Sequence, residues 1–228
     1  MAIAVNNSVN SYSMKDSSYT ESAHVLLDTF GRFILTGLGM LVCLSTFWLN
    51  YRLVGEIGSV EYSLTEILQE FLLVVDAALF FLIARKNTKL KEVAVLAGCF
   101  TLCMLVRELD FFFDSIAVHL WKIIVVCIVI FAFHKTLRLA GLRRTLNSMK
   151  EIIFSDGFGA IFYGMLMVLI LSRVMGMNQL WAFTGAERSE YYIYKRFVEE
   201  SLELCGYYIY SSGVFSLFLN TLKQDNRD

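Results

Sequence analysis

The sequence predicts an all-α integral membrane protein, a bundle of about six transmembrane helices with both termini in the cytoplasm. Three observations carry that reading. Hydrophobic residues make up 57 % of the 228-residue chain and charged residues 18 %, whereas a soluble domain carries about 25 % charged residues. Six apolar segments reach or approach the ~20 residues that span a hydrocarbon core. Lys and Arg are distributed unevenly between the loops on the two sides. Proline is absent, so a bend in any helix must come from glycine or from polar side chains.

Residues 1–28 form a polar tail rich in Ser and Asn. It lacks the basic start and continuous apolar stretch of a secretory signal, so the expectation is a disordered cytoplasmic segment ahead of an uncleaved first helix. The transmembrane domain is expected over 29–222, followed by a short tail over 223–228.

The first span covers about Phe30 to Leu49, the second Leu64 to Ala84 and the third Val93 to Phe113. The fourth runs from Ile116 to Phe133, close enough to the third to predict a helical hairpin. The fifth, Phe158 to Arg173, carries Ala160 and Gly164 in the small-xxx-small spacing that lets helices approach closely. The sixth runs from Val198 to Leu222.

Of the 20 Lys and Arg residues, thirteen fall in the N-tail, the second and fourth loops and the C-tail, and seven on the opposite side. That imbalance places both termini in the cytoplasm. The fourth loop interleaves Leu139, Leu142, Leu146 and Met149 with Arg138, Arg143, Arg144 and Lys150 at nearly helical spacing. This predicts an amphipathic helix near 136–153 on an anionic leaflet surface. Membrane lipids are the expected partners, with a protein partner or a second copy of the chain as further candidates. A net charge of −1 and the absence of any recognition motif give nucleic acid no place. Short loops and the missing cleavable signal suit a bacterial inner membrane.

The polar residues inside this scaffold supply the candidate site. On a six-span topology, four helix ends meet at the outer face. They bring Glu66 and Glu70 from the second span, Arg107, Glu108, Asp110 and Asp114 from the third, His119 and Lys122 from the fourth, and Glu199, Glu200 and Glu203 from the sixth, while a stripe on the second span continues inward through Gln69. Glu66 and Glu70 stand at i,i+4, as do Glu199 and Glu203, so each pair shares one helical face. Asp76 lies deeper, between LLVV and AALFFLIA. Ionisable residues at membrane depth need a partner, water or a task. An interhelical hydrogen bond is the plain expectation for Asp76, and a proton or cation step the functional one.

Three readings of the outer cluster remain. Arg107, Lys122, Lys195 and Arg196 could neutralise the acids in a salt-bridged cap. The carboxylates could bind an ion or solute in a non-enzymatic transport, sensing or accessory component. Alternatively, Glu108, Asp110 and His119 could converge with Glu199 or Glu203 in a membrane-embedded, metal-dependent hydrolase acting on lipid. A divalent metal would suit an oxygen-rich donor set, but no metal motif is present. HExxH, P-loop and GxGxxG patterns are all missing, and no serine sits in GxSxG. Five Cys lie within apolar runs without a CxxC pair, a packing role rather than a redox one.

Overall fold

The computed structural model describes residues 26–27, 29–31, 33–46, 48–49, 64–183, 185 and 187–225. The tail expected over 1–28 lies outside them apart from residues 26 and 27, as do residues 226–228 of the C-tail. The chain divides into two units, Met1–Leu41 and Val42–Asp228. The core described below belongs to the second.

The described residues are all-helical, without strands. Helix α1 runs over Thr29–Thr46, α2 over Leu64–Lys86 and α3 over Lys91–Glu108. Short α4 (Asp110–Ile116) leads to α5 (Leu120–Phe133), which continues through a π-helical turn at His134–Leu139. Helix α6 (Leu142–Ile153) follows, then α7 (Phe158–Leu166), whose π-helical extension Met167–Leu171 runs into α8 (Ser172–Met175). Helix α9 (Asn178–Ala182) and the 38-residue α10 (Arg188–Asp225) complete the order.

Four helical stretches are long and apolar enough to cross a membrane: Thr29–Thr46, Leu64–Lys86, Leu120–Leu139 and Phe158–Met175. The third and sixth expected spans differ from them in composition. Helix α3 carries Lys91, Glu92, Arg107 and Glu108 at its ends, and α10 carries Tyr207, Tyr210 and Ser211 where an ordinary span would carry Leu or Val.

The third apolar segment does not run unbroken to Phe113. It stops at Glu108, and α4 starts after Leu109. The chain then turns through His119, whose φ of 65° is the left-handed conformation. Asp114 stabilises that turn, its Oδ1 accepting the His119 N–H at 2.7 Å. The hairpin expected between spans three and four is present, with α3 packed on α5.

The core joins α2, α3, α7 and α10 around Leu73, Phe80, Ile83, Met104, Ile161, Val168, Tyr207, Tyr210, Val214 and Leu217. Two glycine pairs seat α7 against α10. A Cβ on Gly164 would lie 2.7 Å from the Gly206 carbonyl oxygen, and one on Gly213 would lie 2.6 Å from that of Gly157. Gly164 of the expected small-xxx-small pair is at the close contact, and Gly157, seven residues before it, is a second point of close approach.

The outward surface is apolar. Ile123, Val126, Ile130, Phe131 and Phe133 of α5 are all exposed. A soluble monomer rarely presents so continuous an apolar face, and this one is consistent with an integral membrane protein. Helix α6 begins after Gly141 (φ 87°) and rests on the body through Thr145, Ser148 and Ile152. Ser148 donates to Glu92 Oε2 at 3.0 Å. Leu142, Leu146, Met149 and Ile153 are left exposed on its other apolar stripe.

Candidate functional site

One end of the bundle gathers a dense set of acids and bases from four helices and the start of α4. The first turns of α2 supply Glu66, Gln69 and Glu70. The end of α3 and the start of α4 supply Arg107, Glu108 and Asp110. Helix α8 supplies Arg173, and the first half of α10 supplies Lys195, Arg196, Glu199, Glu200 and Glu203. They line two adjoining cavities of about 400 and 270 Å³ that share Glu66, Gln69, Arg107, Glu108 and Arg173. Trp121 closes one side of the larger cavity and Tyr192 one side of the smaller.

Ion pairs run through this cluster. Glu203, only 9 % exposed, receives Arg173 directly and has Arg107 at 3.9 Å. Arg173 also reaches Glu199 at 3.5 Å. Arg107 holds Glu108 at 2.8 Å, and the Tyr207 hydroxyl donates to the same Glu108 oxygen at 2.7 Å. Arg196 bridges α10 to α2, lying 2.5 Å from Glu200 and 3.6 Å from Glu66. Burial works against the Arg196 charge, but the hydrogen bond to Glu200 and the charges of Glu200 and Glu66 hold its guanidinium above the ordinary value. Lys195 is spent locally, donating to the Gly176 carbonyl at 3.1 Å and to Asn178 Oδ1 at 3.2 Å.

Two acids stand apart from these pairs. Glu70 and Asp110 both line the larger cavity, and among the described residues neither forms an ion pair or hydrogen bond. They also line a third space of about 160 Å³ whose other walls include Leu109, Phe111 and Phe112. The site thus contains paired acids, paired bases and two unspent carboxylates.

Of the residues singled out from the sequence, Glu66, Glu70, Arg107, Glu108, Asp110, Glu199 and Glu203 are brought to this end. His119 is not part of the lining. It sits exposed on the turn between α4 and α5, with its backbone tied to Asp114. Asp76 is elsewhere again, buried deeper along α2 and bonded to Ser211. Among the described residues no three His, Cys, Asp or Glu side chains stand close enough to hold a metal ion.

Arg173, Trp121 and Tyr207 join the site without having been marked by the sequence, whereas Gln69 and Glu200 lie on the helix faces it singled out. Arg173 had no local signal, because its reach to Glu203 depends on how α8 meets α10. No family model, curated protein or solved structure matches the chain.

Proposed function

We propose that this chain is a multi-pass protein of six spans in a bacterial inner membrane, with both termini in the cytoplasm, and that its charged end binds an ion or small solute. On this reading it is a non-enzymatic transport, sensing or accessory component. Helices α3 and α10 complete the six spans, and Thr101, Tyr207, Tyr210 and Ser211 along them are hydrogen-bonded within the bundle. The observation that carries the reading is the pair Glu70 and Asp110, two unpaired carboxylates on a cavity of about 400 Å³ whose other charges are already matched. A positively charged solute would supply the missing counter-charge, and Trp121 offers an aromatic wall beside it.

The test uses full-length protein in lipid nanodiscs. Thermal stabilisation and isothermal titration would be measured against magnesium, calcium, manganese, ethanolamine and putrescine. At least one should bind, with affinity lost in the Glu70→Gln, Asp110→Asn double variant and retained in Glu200→Gln. Equal affinity in the double variant and the parent, or no binding by any of the five, would overturn the reading.

A further inference from the structure

Among the described residues Asp76 is the most deeply buried carboxyl, and the charged end does not use it. It is the thirteenth residue of α2, about 18 Å along the helix from its start and so near the middle of a ~30 Å hydrocarbon layer. It is 1 % exposed. Ser211 donates to its Oδ2 at 2.6 Å, and its Oδ1 is buried without a hydrogen-bond partner.

Among the described residues, two helices pack against α2 at this level. From α10 come Ser211 and Tyr210, whose ring lies 6.2 Å from that of Phe80. From α3 comes Thr101, and its hydroxyl is engaged with the Tyr210 hydroxyl at 2.7 Å. Tyr210 is the titratable group in this set, and among the described residues no Lys, Arg or His pairs with Asp76. An ionised carboxylate here would be held by one hydroxyl in a low-dielectric layer, an expensive state without a counter-charge. A metal counter-ion asks for about six oxygen ligands. The pocket offers Asp76 and Ser211, with Tyr210 and Thr101 already satisfied by each other. A proton asks for one.

The packing on either side is unequal. One turn toward the charged end the neighbours are Leu73, Met104 and Tyr207, and the Tyr207 hydroxyl reaches Glu108 in the cavity lining. Toward the far end the core continues through Phe80 and Val214, then Ile83 and Leu217, all buried and apolar. One layer with a polar edge separates Asp76 from the cavity, and two dry layers separate it from the opposite face.

We propose that Asp76 is a proton-binding site that exchanges with water in the charged cavity and is sealed from the far end. On release, the carboxylic O–H bond breaks and the proton passes to a cavity water, leaving the carboxylate held by Ser211. Reloading is the reverse. The inference rests on packing around Asp76 and stands whether or not the rim binds a solute.

Infrared spectroscopy of the full chain in lipid bilayers tests it. At neutral pH the protein should show the carbonyl stretch of an un-ionised, buried carboxyl, and Asp76→Asn should remove it. Ser211→Ala should keep the band and move it to higher frequency, since a hydrogen bond is lost. Should the Asn variant fail to fold, the Ser211→Ala shift decides the assignment alone. After transfer to heavy water, the deuterium shift of that band should accelerate severalfold in Met104→Ala and stay at the parent rate in Leu217→Ala. A band untouched by both Asp76→Asn and Ser211→Ala would overturn the proton site. Faster exchange in Leu217→Ala with none in Met104→Ala would overturn its sidedness.

Discussion

At the scale of single residues, Glu203 shows how much the charged end depends on pairing. Its side chain is 9 % exposed and takes its main compensation from Arg173. Removing one partner of a buried pair leaves the other uncompensated, at a cost of about 3–5 kcal/mol. Arg173 itself is 41 % exposed, and Arg107 remains near Glu203, so Arg173→Met should destabilise by about 2–3 kcal/mol, less than for a fully buried pair. Adding Glu203→Gln should recover most of the loss, as a double-mutant cycle on thermal unfolding in detergent would read. Tyr207→Phe tests the neighbouring contact. A hydrogen bond to a charged acceptor contributes about 1.5–3 kcal/mol, so this variant should lower the melting temperature. The same change at Tyr208, which does not contact Glu108, should leave that bond in place.

At the scale of elements, glycine pairing decides how α7 meets α10. Gly164→Ala places a methyl against backbone, where neither chain can yield, and overpacking of this kind costs about 1–3 kcal/mol. Gly159, in the same helix, has nothing within 4 Å of its would-be Cβ. Gly159→Ala should therefore be neutral or stabilising by about 0.5–1 kcal/mol, and the contrast is measurable on one thermal-shift plate. The π-helical turn at Met167–Leu171 sets the register beyond these glycines. By widening the helix by one residue, it brings Ser172 within 3.4 Å of Glu203 and turns Arg173 onto Glu199 and Glu203. Deleting one residue within 167–171 removes the extra residue that the π-turn absorbs, so an ordinary α-turn should leave Arg173 facing Glu203 and the melting temperature near the parent's. A loss as large as that of Arg173→Met would show that the π-turn itself is needed.

At the scale of the whole molecule, an exposed apolar surface and a charged end predict a sided protein. Cysteine-accessibility mapping in intact and opened cells should find positions 66, 110 and 203 reactive from one side and positions 89 and 150 from the other. Labelling of 66 and 203 from opposite sides would break the six-span proposal. The sequence made the helical class legible because apolar runs of spanning length have few other uses. It also pointed to the charged end, since helix ends in an up-and-down arrangement must share a level. It did not reveal Arg173 as the partner of Glu203, or Tyr207 as the partner of Glu108, because each contact joins helices about 30 or 100 residues apart. His119 misled for a local reason: a cap from Asp114 keeps it on a surface turn, which polarity patterns do not register.

Helix α10 has one more consequence. Its 38 residues run unbroken, about 57 Å of continuous rod against a ~30 Å hydrocarbon layer. Near one end Arg196 grips Glu66, and near the other Gln224 accepts a hydrogen bond from Asn87 at 3.2 Å. One element therefore carries both contacts, so a slide of α10 along its own axis would strain the Arg196–Glu66 and Gln224–Asn87 contacts together.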